Sequence, residues 1–489
     1  MTMSLIHSLE RHALERPDAL AVREAGVSNH DQEIRWWRLR NAAAALASQL
    51  RRRGDRPVVM VSAANRWELL ATLLGGLWAD ASVLPVAPEL RSSALVKIAR
   101  DLSVTTLIGE SNARDALASE VSDFIPIDSL AADRGCPEAA PPGGFGSILL
   151  QSSGTTGLPK FVRRRAPALD AMGESCRRGI TIGEHDTMLL AIPLHHSYGI
   201  DQGLLTAVVS GCCVELHERF EPARVRDALA CRPISVFPGL PLIFDALTRT
   251  ASGTAPSLRR ALSAGSPLPH HISDRFQKVY GQAIGQIYGA TEFGSVTFND
   301  PDANGFDPQM TGRPLPGVQL RIVDPVDPRP DHPLPPGSEG QVAVATSSMF
   351  SEYIGAPGAP PEGGFFLTGD LGSIDAAGTL CLTGRISLLV NVGGLKVNPI
   401  EVESVLMRHP AVREAVVVPI AYSDTASRLK AIIVAEPGHE TSSDELVHFA
   451  REHLIYYKVP RSIEIRTSVP RSPTGKILRQ RLLAAESNA

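Results

Sequence analysis

The sequence predicts an α/β protein. A large N-terminal domain, built of two α/β layered subdomains plus a small β unit, is followed by a small α+β C-terminal domain. Three features predict this. Apolar strand runs alternate with helical runs up to about residue 320. The texture then changes to short β runs between Pro/Gly-rich loops. A second αβ alternation begins after Gly384-Arg385. At 489 residues the chain is too long for one ordinary core, which agrees with two or more domains.

The elements follow in order. Residues 36–53 read as an amphipathic helix, 57–63 as a buried strand, 67–80 as a helix and 82–88 as a strand. A linker-like stretch, GCPEAAPPGGFG, spans 135–146. Strand-like runs recur at 187–194 and 234–240, with a helix at 203–213. From about 316, VQLRIVD, EGQVAVAT and GTLCLTGR form the β unit that should close the large domain. Beyond it, 400–410 and 442–454 read as helices, and 411–420 and 429–437 as strands. The boundaries are therefore 1–384 for the large domain and 389–489 for the small one.

Composition removes several function classes. A net charge of −4 argues against a nucleic-acid protein. No apolar stretch reaches ~18 residues without a charge, so no membrane span is expected. The charged N-terminus is no signal peptide. Six cysteines without CxxC spacing, two of them adjacent at Cys212-Cys213, read as reduced thiols of a cytoplasmic protein. The basic residues are 41 Arg and only 7 Lys, so each lysine is an informative choice.

The stretch QSSGTTGLPK, 151–160, follows an apolar strand-like run. Gly154 and Gly157 let successive N–H groups converge. Hydroxyls at Ser152, Ser153, Thr155 and Thr156 add donors, and Lys160 adds charge. This describes a phosphate cradle, but not a Walker A loop: the spacing differs and Phe161 stands where a metal-binding hydroxyl would be. Five further signatures follow in order: Tyr288-Gly289-Ala290-Thr291-Glu292, Thr368-Gly369-Asp370, Gly384-Arg385, Gly393-Gly394-Leu395-Lys396-Val397 and Pro473-Thr474-Gly475-Lys476. With the loop, they resemble the ANL superfamily of adenylate-forming enzymes over nearly the whole chain.

That resemblance implies ATP-dependent activation of a carboxylic acid to an acyl-adenylate, with release of pyrophosphate, and then transfer to a pantetheine thiol. Such a step forces two anions together. Like charges ~4 Å apart repel by several kcal/mol at intermediate dielectric, so preorganised cations and N–H donors are needed. The resemblance assigns residues 152–160 to the β- and γ-phosphates, and Glu292, with Thr291 and Thr156 nearby, to Mg²⁺, which prefers hard oxygen ligands. Gly265, Ser266 and Pro267 would flank adenine on one side and the Tyr288 ring on the other, with Gln286 reading its edge. Asp370 would take the ribose hydroxyls, and Arg385 the ribose or a phosphate. Lys476 would bridge carboxylate and phosphate during adenylation, as a compact ammonium suits a crowded two-anion gap.

His196, in LHHSYG, is implied beside the acyl carboxylate as a gate. The hinge would span 385–388, its pivot at Ser387, where relatives carry a charge. Gly393 and Gly394 would line a pantetheine tunnel, or simply form a turn. Tyr198, Asp201, Gln202, Phe237, Gly265, Gly289, Phe293, Gly294 and Val296 are the expected pocket walls. Tyr198 and Phe293 would make the pocket short, suited to an aryl or short-to-medium acyl group, and Asp201 would accept a substrate hydroxyl. No Asp matches the position that holds an α-ammonium in amino-acid-activating relatives. CoA is the default acceptor; a separate carrier protein would present the same arm. The run Arg163-Arg164-Arg165 reads as a solvated basic face, or as a contact for a CoA phosphate or an acidic carrier. A reading of a different class is a homologue that binds nucleotide without turnover.

Overall fold

The computed structural model describes residues 4–26, 31–54, 56–131, 146–152, 160–249, 253–355, 360, 364–421, 427–471 and 477–486. Two compact units emerge: Met1–Gln319 with Ala345–Phe366, and Leu320–Val344 with Leu367–Ala489.

The first unit holds two sheets. Seven strands run in the order Glu352–Ile354, Lys160–Arg165, Ser147–Ser152, Ser82–Val86, Val58–Ser62, Thr106–Gly109 and Asp123–Pro126. Its five later members are parallel, as the βα alternation predicts. Nine strands form the other sheet, from Arg313–Pro314 at one edge to Gln32–Arg35 at the other, with a parallel centre. Helix Trp67–Trp78 is apolar except for Glu68 and Thr72, and every residue of it is buried. It lies against the alanine-rich helix Trp36–Arg51 so closely that a Cβ at Gly75 would come within 2.7 Å of the Ala43 carbonyl oxygen. The expected helix at 203–213 ends earlier. Gly211, at φ +75°, caps it after Ser210, and Cys213 opens the strand Cys213–Leu216. Its N-terminal part, Asp201–Thr206, is a π-helix.

In the second unit a four-stranded sheet runs in the order Val318–Val323, Gly340–Thr346, Phe366–Ile374, Leu380–Arg385. The sequence placed this β unit with the large domain; by packing it groups with the C-terminal residues. The cause is local. Asn398 caps helix Pro399–Leu406, and its Nδ2 donates to the Thr383 carbonyl at 2.7 Å, fixing the last strand to that helix. Strands Val412–Ala421, Ser427–Ala435 and Ser462–Arg466 form a three-stranded sheet. Its apolar residues pack on helices Pro399–Leu406 and Ser443–His453, the latter closed by a Ser442/Glu445 capping box. No helix among the described residues is long and apolar enough to cross a membrane.

Five strands carry the site of the first unit: β1 (Ser147–Ser152), β2 (Lys160–Arg165), β3 (Ile284–Ala290), β4 (Gly294–Phe298) and β5 (Glu352–Ile354).

Candidate active site

β1 and β2 are antiparallel, and their register pairs Ser152 with Lys160. The two ends of the phosphate-loop motif therefore face each other. Ser153, Gly154, Thr155, Thr156 and Gly157 lie outside the described residues. Glu292 lies in the turn between β3 and β4. The Ser152 hydroxyl donates to Glu292 Oε1 at 2.8 Å, and the Tyr353 hydroxyl donates to the same oxygen at 3.1 Å. Glu292 Oε2 has no partner among the described residues. Lys160 Nζ stands 5.5 Å from the Tyr353 ring centroid. Thus a lysine, two hydroxyls and a carboxylate converge at the mouth of the loop. Thr291 is part-buried beside Glu292.

The segment before β5 holds the turn from behind. The Phe350 N–H donates to the Glu292 carbonyl at 2.7 Å, and the Ser348 hydroxyl donates to the Phe293 carbonyl at 2.7 Å. The Phe350 and Phe293 rings each pack on Phe366. β5 pairs with β2, placing Tyr353 opposite Val162, two residues from Lys160. Tyr353 was missed by sequence reasoning, since its partners are distant in the chain. Burial and the Glu292 charge push its phenol well above the usual range, so it remains a donor.

Several expected pocket residues are committed elsewhere. Asp201 is buried, and Oδ1 accepts from Arg164 Nη1 at 2.7 Å. Its Oδ2 accepts from the Ser295 N–H at 3.2 Å and the Ser295 hydroxyl at 3.4 Å. It is therefore an internal counter-ion, not an acceptor for a substrate hydroxyl. The same pair corrects the reading of Arg163-Arg164-Arg165 as a solvated face. Successive strand side chains point to opposite faces, so Arg164 is fully buried while Arg165 is exposed. Gln202 and Phe237 are fully buried; Gln202 Nε2 lies 3.6 Å from the Cys176 sulfur, and the Phe237 ring packs edge-on against Phe244. Phe293, Gly294 and Val296 are buried as well, so they do not wall an open pocket. Tyr198 is part-buried and donates to the Leu262 carbonyl at 3.1 Å. The inference of a short pocket loses its footing on Phe293.

Gln286 is likewise satisfied internally. Its Nε2 donates to the carbonyls of Pro308 (2.6 Å) and Met310 (3.1 Å), and its Oε1 accepts from the Leu268 N–H at 3.2 Å. It holds the end of the 265–268 segment instead of presenting a free amide to a base. Gly265 (φ +86°), Ser266 and Pro267 are exposed on that segment, as is Gly289. Tyr288 is buried, its ring 6.0 Å from that of Phe293.

His195 and His196 are part-buried with ring centroids 4.5 Å apart. Burial, with the neighbouring imidazole adding to it, pushes His195 down to about 3. Burial alone lowers His196. Both are neutral near pH 7. Asn65, not anticipated from sequence, fixes the approach to them. Its Nδ2 donates to the Ile192 and His217 carbonyls at 2.9 and 3.2 Å, and its Oδ1 accepts from the Leu194 N–H at 2.8 Å. A buried asparagine just past an apolar strand was the signal available in the sequence.

In the second unit, Asp370 and Arg385 are register partners, and Arg385 Nε lies 3.4 Å from Asp370 Oδ1. Ser387 is exposed in the short turn Ile386–Leu388. Gly393 and Gly394, at φ +60° and +91°, make an open hairpin turn whose Gly394 N–H donates to Asn391 Oδ1 at 2.9 Å. Lys476 lies outside the described residues. On either side of it, Arg471 pairs with Glu414, and Arg479 makes a two-pronged contact with buried Glu403 at 2.6 and 2.7 Å.

A model described as "AMP-binding enzyme" matches residues 9–354, and one described as "AMP-binding enzyme C-terminal domain" matches 401–476. A feruloyl-CoA synthase of Amycolatopsis sp is 28% identical, with 96% of each chain covered. A probable CoA ligase, CCL9, of Humulus lupulus is 30% identical over 70% of this chain, which spans 66% of that relative's length. The ATP-bound crystal structure of MatB from Rhodopseudomonas palustris shares the fold, with a TM-score of 0.90, 23% identity and full coverage of both chains. The o-succinylbenzoate CoA synthetase (MenE) of Bacillus subtilis, in complex with the acyl-adenylate intermediate OSB-AMP, superimposes with a TM-score of 0.84 at 25% identity, covering 97% of each chain. The chain belongs to the AMP-binding enzyme family, within the ANL superfamily of adenylate-forming enzymes.

Proposed function

We propose that this chain is an AMP-forming acid–thiol ligase that activates a carboxylic acid without an α-amino group and passes it to CoA. One observation carries the reading: Ser152 donates to Glu292 at one end of the phosphate-loop motif, Lys160 faces Ser152 across the strand register, and no described residue bonds the second carboxylate oxygen. In the first half-reaction, a substrate carboxylate oxygen attacks the α-phosphorus of ATP. The bond from that phosphorus to the bridging oxygen breaks, and pyrophosphate leaves. In the second, a thiolate sulfur attacks the acyl carbonyl and AMP leaves. CoA ligases and synthases among the relatives support this sequence of steps.

The residues present fit a magnesium nucleotide. Lys160 supplies fixed positive charge toward the phosphates, and Ser152 and Tyr353 orient the carboxylate. Glu292 would hold Mg²⁺, which would supply neutralisation of the triphosphate charge. Asp370 takes the ribose hydroxyls, and Lys476 supplies the ammonium that offsets the repulsion between carboxylate and α-phosphate. The neutral imidazole of His196 accompanies the acyl carboxylate.

The test is pyrophosphate release across a panel of aryl, short and medium carboxylic acids, with and without CoA. Acid-dependent release that yields an acyl-CoA is the expected result. Silence on every acid, with ATP still bound, would favour the binding-only reading. A phosphopantetheinylated carrier protein in place of CoA tests the other acceptor; a fatty acid–[acyl-carrier-protein] ligase, ScoC, of Streptomyces coeruleorubidus is 33% identical over 68% of this chain, which spans 66% of that relative's length.

A further inference from the structure

We infer that Tyr353 is a positioning residue for the metal-bound nucleotide, setting which oxygen of Glu292 faces the cation and where the Lys160 ammonium rests. The inference rests on the reading of Glu292 as the metal carboxylate. Tyr353 touches both charged groups of the site: its hydroxyl donates to Glu292 Oε1 at 3.1 Å, and its ring lies 5.5 Å from Lys160 Nζ.

The two oxygens of Glu292 are unequal. Both hydroxyl donors, Ser152 and Tyr353, converge on Oε1. No described residue bonds Oε2, the condition under which a carboxylate binds a hard cation through one oxygen. Without the Tyr353 hydroxyl, Ser152 alone among the described residues would resist rotation of the carboxylate, and Ser152 is the last residue of β1. Tyr353 is better anchored. β5 is hydrogen-bonded to β2 across Glu352–Ile354, and the Phe350 ring packs 4.6 Å from the Tyr353 ring. The Ser351 N–H donates to the Arg163 carbonyl at 2.8 Å, and Glu352 pairs with Arg163 at 2.8 Å. One short strand thus ties the lysine-bearing strand of one sheet to the carboxylate-bearing turn of the other.

The experiment measures ATP binding by equilibrium dialysis over a Mg²⁺ titration, with AMP binding in the absence of metal as reference. Tyr353→Phe removes the hydroxyl and keeps the ring. It should raise the Mg²⁺ concentration for half-maximal ATP binding by about tenfold, as for one hydrogen bond to a charged group, and leave AMP affinity within about twofold. Tyr353→Leu removes the ring too and should additionally weaken metal-free ATP binding. A wild-type Mg²⁺ dependence in Tyr353→Phe overturns the inference, and so does an equal loss of ATP and AMP binding. If Tyr353→Phe does not fold, Tyr353→Met, which fills the space without a donor, is measured against the same criteria. Glu292→Gln separates the two levels. If it shifts the Mg²⁺ dependence while Tyr353→Phe does not, only the role of Tyr353 fails; if it has no effect, the reading of Glu292 fails as well.

Discussion

Glu292 and Asp201 are both acids that the sequence places at the site, yet the fold treats them in opposite ways. Ser295, the second residue of β4, donates to Asp201, while Glu292 lies only three residues earlier in the turn before that strand. Asp201 has both oxygens occupied and is 2% exposed. Glu292 is part-buried and held by two neutral hydroxyls, and no described residue bonds its other oxygen. The difference is the partner: a buried guanidinium completes Asp201, whereas no cation of the described structure completes Glu292. A carboxylate satisfied by hydroxyls alone retains its demand for positive charge.

The contrast predicts opposite outcomes on mutation. The largest effect is expected at the sealed pair. Arg164→Ala leaves Asp201 buried without its counter-ion and should cost about 3–5 kcal/mol of stability, read from chemical denaturation. Replacing both partners, as Arg164→Met with Asp201→Leu, should recover most of that loss; no recovery would mean that the pair is more than a charge balance. Next comes the open carboxylate. Glu292→Gln should lower kcat/KM for pyrophosphate release by about 100-fold, on the scale of one preorganised electrostatic group, with the thermal midpoint nearly unchanged. A large loss of stability instead would erase the distinction between the two acids. The smallest effect concerns acid. The pKa of His195 is depressed to about 3 in the fold against about 6.5 unfolded, so the unfolded chain binds the extra proton. Its contribution is therefore complete above about pH 6.5 and declines as pH falls toward 3. Between pH 6.5 and 5 this amounts to about 1–2 kcal/mol, and His195→Asn should flatten the corresponding slope of stability against pH.

Much of the fold was legible because the periodicities are strong. The strands at Val58–Ser62 and Ser82–Val86 and the helix Trp67–Trp78 lie within two residues of the expected ends. Motif residues such as Ser152, Lys160 and Glu292 were legible because their types carry chemistry in a fixed order. Arg164 was not: inside a run of three arginines, charge outweighs the two-residue alternation that turns its side chain inward. Asp201 and Gln202 failed for a related reason, since closeness in sequence to LHHSYG says nothing of which helix face they occupy. Gln286 was placed on a base because an amide invites it, while the carbonyls of Pro308 and Met310 that bind it lie more than twenty residues away. Tyr353 acts through contacts of long sequence separation, which local pattern cannot reveal, and Asn65 left only the trace of an asparagine just past an apolar strand.

The enclosed Arg164–Asp201 contact also has a consequence for how this lineage can diverge. Changing either position first strands a lone charge in the interior, so the two sites are expected to be inherited together and exchanged together. Grafting the segment around Asp201 into a relative with an apolar residue at the Arg164 position would import half of an ionic lock, and the chimera would tolerate it only if the other half travelled with it.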